Sequence, residues 1–312
     1  MIRFLKDWAL IIAIIVGIIS YFAYANLAIF DFARPYINPA IEIIQPLLIF
    51  SMLFLTFSKM NFSDLRLRRW HLWLILIQTG LFTGIGLFLI ALPQSNIRII
   101  LEGAMLCLIC PTATAAAVIT RKLGGNVSSL TTYTILINIA VATLIPIMVP
   151  FVHPNPNLSI LSSGALILAK VFPLLLVPLI ATALLKKIAP IITTKIARYQ
   201  ELSFYLWLIA LALAIALTTR SIVHSSVSLS TQLWLVLVSL ICCCIQFYIG
   251  RKIGARYGEK ITAGQSLGQK NTILVIWMGY TFFTPVTALV GGFYSIWHNL
   301  INSYQLYRAK TK

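Results

Sequence analysis

The sequence contains little acidic charge. It has seven aspartate and glutamate residues against 24 lysines and arginines in a chain of 312, and charged residues make up only 10% of the total. Hydrophobic residues make up 60%, well above the share found in soluble globular proteins. Long apolar runs recur from one end to the other, so the composition indicates an all-α membrane protein that crosses the bilayer many times.

Sequence patterns of several enzyme classes are also absent. The chain has no HExxH metal motif and no phosphate-binding P-loop, and its apolar segments hold no paired carboxylates. An enzyme and an ATP-driven pump are therefore not expected, and neither is a cofactor. The five cysteines lie inside apolar segments without a second Cys/His pair, so we interpret them as small apolar residues at helix contacts rather than metal ligands.

The distribution of basic residues predicts the topology. Ten apolar segments are predicted as membrane spans, near residues 7–30, 36–57, 70–93, 97–120, 127–152, 159–185, 200–222, 230–250, 261–283 and 284–306. Lysines and arginines concentrate at both termini and after every even-numbered segment, which is the positive-inside pattern. We predict a multi-pass protein of the inner (plasma) membrane with both termini in the cytoplasm. The net charge of +17 reflects this topology, so the lipid bilayer and not nucleic acid is the expected partner.

Lys270 is the only charged side chain between Lys260 and Arg308. At ~1.5 Å per helical residue it lies about 15 Å from Lys260, which is half of a bilayer core. An ionisable group at that depth costs at least ~2.5 kcal/mol unless it has a partner or water. Because the run 264–272 is also unusually polar, we predict a transport site formed by Ser266, Gln269, Lys270, Asn271 and Thr272.

Two of the segments carry signals for a break near mid-membrane. Pro111 in the fourth segment removes a backbone donor, and Gly264 and Gly268 accompany the polar run of the ninth at a matching depth. Each alone is typical of a proline kink or a close glycine contact. Together they occupy the fourth position of each half of the chain, which favours a shared site.

This arrangement predicts a single membrane domain over residues 1–312. Five spans per half place the halves in opposite orientations, so we predict inverted repeats near 1–155 and 156–312.

The second part of a broken helix begins with free backbone N–H groups and a partial positive charge. Thr112 or Thr114 is predicted to cap this part in the fourth segment, and Asn271 or Thr272 in the ninth. Neither interruption contains an aspartate or glutamate. Two such helix ends together with Lys270 favour an anionic ligand.

At these residues the chain resembles the bile acid:sodium symporter family and its bacterial members. The resemblance runs along nearly the whole chain and rests on short motifs, which are QPLLIFSMLF at 45–54, Gln78, CPTAT at 110–114, GGN at 124–126 and GQKNT at 268–272. It implies a panel domain of segments 1, 2, 6 and 7 and a core domain of segments 3–5 and 8–10. Broken segments 4 and 9 would cross in the core, and an organic anion would bind beside the crossing with coupling to sodium.

The chain departs from the family pattern where relatives bind sodium. Ala116 and Ala117 stand in place of a Ser-Asn pair, Ser266 in place of a glutamate, and Lys270 in place of a glutamine. Of the family's polar set, the residues that persist are Gln78, Thr134 and Asn271. The sodium sites are therefore degraded, and no metal site is expected.

We hypothesise that the Lys270 ammonium replaces a sodium ion and donates hydrogen bonds to Gln78, Ser266 and backbone carbonyls. The transport cycle would then be independent of sodium, either as a uniporter or with the protonation of Lys270 as the coupling step. An alternative is that Lys270 only braces the crossing.

The predicted function is a secondary transporter of a small organic anion by alternating access. A sodium-coupled symporter with altered ligands and a membrane receptor that does not transport are the alternatives.

Overall fold

The computed structural model describes residues 9–95, 97–199, 202–224 and 227–310, apart from the side chains at 9, 10, 38, 198 and 310. These residues form fourteen α-helices. In chain order they are α1 (Ala9–Asn26), α2 (Arg34–Ser58), α3 (Arg69–Ala91), α4 (Arg98–Ile109), α5 (Ala116–Lys122), α6 (Val127–Val152), α7 (Ile160–Leu175), α8 (Val177–Ile188), α9 (Pro190–Arg198), α10 (Leu202–Val223), α11 (Leu229–Ala255), α12 (Lys260–Gly268), α13 (Thr272–Phe282) and α14 (Leu289–Lys310). Short 3₁₀ turns lie at Ala28–Phe30 and Phe62–Asp64.

Each of the ten predicted segments coincides with one helix or with a pair of helices. The fourth is divided into α4 and α5, and the ninth into α12 and α13, as the sequence predicts. By length and apolar composition, five of the described helices could each cross a membrane, or six if α7 and α8 count as one span. The all-helical membrane class is thus confirmed, while the count of ten spans stays a prediction.

Two features of the helix pattern are not predicted. The sixth segment is divided into two helices, α7 and α8, close to Pro173 and Pro178. A short helix, α9, follows it and begins with Pro190, a residue that suits the first position of a helix because its missing N–H is not needed there.

The chain divides into two compact units. The first lies within residues 1–59 and 178–226, and the second within 60–177 and 227–312. The division falls inside the sixth segment, since α7 belongs to the second unit and α8 from Pro178 onward belongs to the first. The assignment of panel and core domains, like the inverted repeats, stays a prediction.

Within the first unit, α1 packs against α10. Ala13, Leu211 and Ile215 are buried at this contact. The helices approach closely at Gly17, where a Cβ atom would lie 2.6 Å from the backbone oxygen of Ala212. Glycine is therefore required there by packing.

In the second unit, glycines in the left-handed conformation end α5 and α11. Gly124 has φ of 79° and Gly258 has φ of 71°. After α5 the amides of Gly124 and Gly125 donate to the carbonyls of Arg121 and Thr120, which is the Schellman arrangement. The GGN motif at 124–126 therefore ends one helix, and its Asn126 caps the next by accepting from Ser129 N.

Candidate functional site

The fourth segment breaks at Pro111. Proline disfavours helical geometry in the residue before it, and Cys110 is accordingly extended, with φ of −54° and ψ of 136°. The chain leaves α4 after Ile109 and becomes helical again at Ala116. The residue before α5 is Ala115, which makes no side-chain cap.

The ninth segment breaks after Gly268. A Cβ atom there would lie 2.4 Å from the ring of Phe247, so the end of α12 packs directly against an aromatic ring of α11. Gln269 is extended, with φ of −94° and ψ of 103°. Asn271 then caps α13, its Oδ1 accepting from Leu274 N at 3.3 Å.

The two breaks meet in one antiparallel bridge between Thr112 and Lys270. Ala113 N donates to the carbonyl of Gln269 at 2.8 Å, and Asn271 N donates to the carbonyl of Pro111 at 2.9 Å. These two hydrogen bonds satisfy backbone groups that the broken helices leave free. The two breaks therefore meet through their backbones, while the angle at which the two segments would cross stays a prediction.

Side chains add two further hydrogen bonds across the bridge. Thr112 Oγ1 donates to the carbonyl of Ser266 at 2.7 Å, and the Cys110 thiol donates to the carbonyl of Asn271 at 3.0 Å. The predicted site residues Thr112 and Ser266 are thus brought together. The contact uses the hydroxyl of Thr112 and the backbone carbonyl of Ser266.

Gln78 supports the first break from α3. Its Nε2 donates to the carbonyls of Ile109 at 2.9 Å and Cys110 at 3.0 Å, and its Oε1 accepts from Tyr133 Oη at 2.7 Å. Gln78, Tyr133 and the two residues that carry these carbonyls are all buried. The amide therefore satisfies two carbonyls at the end of α4.

The Lys270 side chain is buried beside this bridge and is only 1% exposed. Its Nζ makes no hydrogen bond to any of the described residues. The predicted hydrogen bonds from Lys270 to Gln78 and Ser266 are wrong for this conformation. The Gln78 amide donates its N–H groups to two carbonyls and accepts from Tyr133 Oη, while Ser266 Oγ lacks a partner among these residues.

Sequence reasoning also missed that the ionisable neighbours of Lys270 are cysteines. They are Cys107 and Cys110 of the fourth segment and Cys242 and Cys243 of α11. All four are buried, whereas Cys244 is exposed. A thiol is a weak hydrogen-bond partner and carries little charge, so these neighbours compensate the ammonium poorly.

The remaining predicted caps and ligands lie differently. Asn271 is confirmed as a cap, but Thr112 and Thr114 precede Ala115 and do not cap α5, and Thr272 is the first residue of α13 rather than its cap. Thr134 Oγ1 donates to the carbonyl of Leu130 in its own helix at 3.0 Å. The hydroxyl of Thr134 is therefore not joined to the bridge by a hydrogen bond.

Residues 264–268 read Gly-Gln-Ser-Leu-Gly, which fits the GxSxG pattern of serine hydrolases. That pattern carries chemistry where a serine sits on a sharp turn between a strand and a helix. Here Ser266 lies within the last turns of α12 and is 0% exposed. The local structure is that of a buried helix end and does not resemble a nucleophile elbow.

The most deeply buried carboxylate among the described residues was missed from the sequence. Glu102 in α4 is 1% exposed, and its Oε1 lies 2.9 Å from Arg98 Nε and 2.8 Å from His153 Nε2. Thr287 Oγ1 donates to its Oε2 at 3.3 Å. The i,i+4 spacing of Arg98 and Glu102 was the available signal, since oppositely charged residues at this spacing pair on a helix.

A cavity of about 280 Å³ lies apart from the predicted site. It is lined by two chain segments, 124–126 and 258–261. None of the predicted site residues lines it. Among the described residues, no group of three or more His, Cys, Asp or Glu side chains could hold a metal ion.

Comparison with known proteins points to a transporter family. Residues 9–300 match the model of the SBF-like CPA transporter family, which is a bile acid:sodium symporter-like family. No curated protein matches the chain. The match extends over nearly the whole chain and includes every predicted site residue. It agrees with the resemblance seen in the sequence, while bacterial membership and the assignment of single sodium ligands stay predictions.

Proposed function

Since the chain belongs to the SBF-like CPA transporter family, we propose that this multi-pass membrane protein is a secondary transporter of a small organic anion. It acts by alternating access in the inner membrane, with both termini in the cytoplasm and the two broken helices as corresponding elements of inverted repeats. The anion binds beside the bridge between Thr112 and Lys270.

The observation that carries this proposal concerns the Lys270 side chain. It is buried, and among the described residues it has neither a hydrogen-bond partner nor a carboxylate in an ion pair. A buried charge without a partner is unfavourable by several kcal/mol. Two events relieve that cost, the binding of an anion and the release of the proton.

The second part of the ninth segment adds to the attraction. The N-terminus of α13 begins two residues after Lys270, and it presents the positive end of an eleven-residue helix. A carboxylate, sulfonate or similar group beside Lys270 would meet both positive groups. No described acidic side chain forms an ion pair with Lys270 and would compete for it.

The same charge supports a cycle without sodium. An ammonium repels a second cation within a few ångströms strongly in a medium of low polarity. Lys270 therefore takes the place of the sodium ion, and its protonation is the coupling step that we favour over uniport. Bracing of the bridge by Lys270 is disfavoured because its Nζ holds none of the hydrogen bonds that join the two breaks.

The test is thermal unfolding of the purified protein in nanodiscs with a panel of organic anions. The panel contains a short 2-keto acid, pantoate and a bile acid, each added with sodium or with choline as the cation and at several pH values. We expect at least one anion to raise Tm equally with either cation, and more strongly at the lower pH. The stabilising anion is then tested for uptake into proteoliposomes.

The substitution Lys270→Met separates the roles of this residue. We expect a folded protein whose Tm no longer responds to the anion, because the methionine removes the buried charge and keeps the volume. Lys122→Met is the matched control, since Lys122 is an exposed lysine in the last turn of α5. It should keep the response.

Three results would contradict the proposal. A misfolded Lys270→Met protein would support bracing instead. Stabilisation or uptake that requires sodium would support the sodium-coupled symporter. Anion binding without uptake or exchange would support a receptor.

A further inference from the structure

Buried polar atoms without a partner are concentrated in one part of the molecule. Fourteen such side-chain atoms occur among the described residues, and seven belong to residues 265–302. They are Gln265 Oε1, Ser266 Oγ, Gln269 Oε1, Lys270 Nζ, Asn271 Nδ2, His298 Nδ1 and Asn302 Nδ2. Native proteins leave few buried polar atoms unpaired, and ordered water is a common partner for those that lack one.

These atoms accompany a polar strip along α14. Tyr294, His298, Asn302 and Gln305 follow one another at helical spacing and share a face. The first three are buried and Gln305 is partly exposed near the end of the helix. From Tyr294 to Gln305 the strip is about 16 Å long at ~1.5 Å per residue, which is close to half of a bilayer core.

Hydrogen bonds connect the strip to α12 at both of its ends. Tyr294 Oη donates to the carbonyl of Gly268 at 2.8 Å. Gln265 Nε2 lies 3.1 Å from Asn302 Oδ1 and 3.2 Å from Gln305 Oε1. Between them the ring of His298 meets that of Tyr294 edge to face, with centroids 5.8 Å apart.

The end of the strip at Tyr294 lies next to the chain segment that carries Lys270. Gly268, whose carbonyl accepts from Tyr294, is two residues before Lys270 in the chain, and the Cys243 side chain lies near both Tyr294 and Lys270. The other end of the strip, at Gln305, lies near the start of α12 at Lys260 and in the last turns of α14. The titratable groups along this path and at its ends are Lys260, Lys270, Cys107, Cys110, Cys242, Cys243, Tyr294 and His298.

We propose that the strip formed by Tyr294, His298, Asn302, Gln265 and Gln305 is a hydrated route that connects Lys270 with the Lys260 end of α12. Water along the strip supplies partners for the unpaired atoms, and His298 passes protons between this water and the Tyr294 end of the strip. The delivery of protons to Lys270 rests on the proposed function, because it requires that Lys270 changes its protonation. The hydration of the strip does not.

A network of amides that only holds α12 against α14 is the competing explanation. Such a network gains its stability by satisfying its own donors and acceptors. Here both hydrogen bonds from Gln265 come from Nε2, while its Oε1, Asn302 Nδ2 and His298 Nδ1 lack partners among the described residues. Water along the strip explains these unpaired atoms better than a network of amides does.

Hydroxyl-radical labelling tests the route. Short X-ray pulses generate hydroxyl radicals from water around and inside the protein in nanodiscs, and mass spectrometry measures the oxidation of each side chain. Tyr294 and Tyr133 form a matched pair, since both are 0% exposed and each hydroxyl donates to an interior oxygen. We expect Tyr294 to be labelled several-fold faster than Tyr133, because only Tyr294 lies on the route. Equal labelling of the two tyrosines overturns the proposal.

A variant sharpens the result. Asn302→Leu places an apolar group of similar size in the strip and should slow the labelling of Tyr294 and His298 without changing that of Tyr133. Asn299→Leu is its control, because Asn299 is less buried and donates only to the carbonyl of Ser295 in its own helix. Equal slowing by both variants would contradict the route. Should Asn302→Leu not fold, the comparison of Tyr294 with Tyr133 in the unaltered protein still decides.

Rapid labelling of Tyr294 together with anion binding that does not depend on pH would keep the route and overturn proton coupling.

Discussion

The two breaks meet at one bridge but are stabilised in different ways. In the first, α5 begins without a side-chain cap. The carbonyls at the end of α4 are satisfied by Gln78 of another helix, α3. In the second, Asn271 caps the next helix from within the break itself. The first break therefore depends on tertiary contacts, while the second is partly specified by its own residues.

The largest expected effect comes from removing the tertiary support of the first break. Gln78→Leu should lower the free energy of unfolding by roughly 3 kcal/mol or more, because the carbonyls of Ile109 and Cys110 and the Tyr133 hydroxyl lose their partner in a buried site. Chemical unfolding in detergent measures this. Gln45→Leu is the control with the same change, at a buried amide whose Nε2 has no partner among the described residues. Similar losses in both variants would show that Gln78 has no special role.

A smaller loss is expected from filling the close contact at the second break. Gly268→Ala should destabilise by about 1–3 kcal/mol, because its Cβ would lie 2.4 Å from the Phe247 ring and the ring must move. Gly84→Ala in α3 is the control, since a Cβ there meets nothing within 4 Å. That variant should be neutral or slightly stabilising, because alanine favours the helix. The same unfolding measurement distinguishes them, and a neutral Gly268→Ala would show that the end of α12 is free to shift.

Removal of the local cap should cost still less. Asn271→Ala is expected to destabilise by about 1 kcal/mol, since Leu274 N loses its acceptor at the start of α13. Asn271→Asp should retain most of the stability, because aspartate also caps helices. A loss as large as that of Gln78→Leu would mean that the second break is stabilised by more than its local cap.

The smallest effect is expected for a cap added to the first break. Ala115→Ser should change stability by less than about 0.5 kcal/mol, because Ala115 has helical angles, φ of −71° and ψ of −17°, rather than the extended geometry of a capping residue. Thermal unfolding of the variant beside the parent protein measures this. A gain near that of a good cap would show that the first break can be specified locally.

Local signals in the sequence predicted much of this site. Proline at 111 and the glycines and polar run near 270 located both breaks, and Asn271 was among the expected caps. Thr112 was expected to act on its own helix and instead donates to the carbonyl of Ser266. Gln78 was expected to accept from Lys270 and instead holds the end of α4. Such errors follow from one cause, since spacing along the chain predicts which backbone groups are left free but not which side chain reaches them.

By itself the sequence determined that the chain is a helical membrane protein and that its fourth and ninth segments break, and it placed a lysine beside the second break. Each of these depends on local chemistry, namely apolar length, proline and glycine geometry, and the position of one charge. Only the tertiary structure decided that the breaks join through Thr112 and Lys270, that the ionisable neighbours of Lys270 are cysteines, and that Tyr294 of α14 bonds the end of α12. These contacts link residues far apart in the chain, and burial then decides their energetic weight, because a polar group without a partner is costly only where water is excluded.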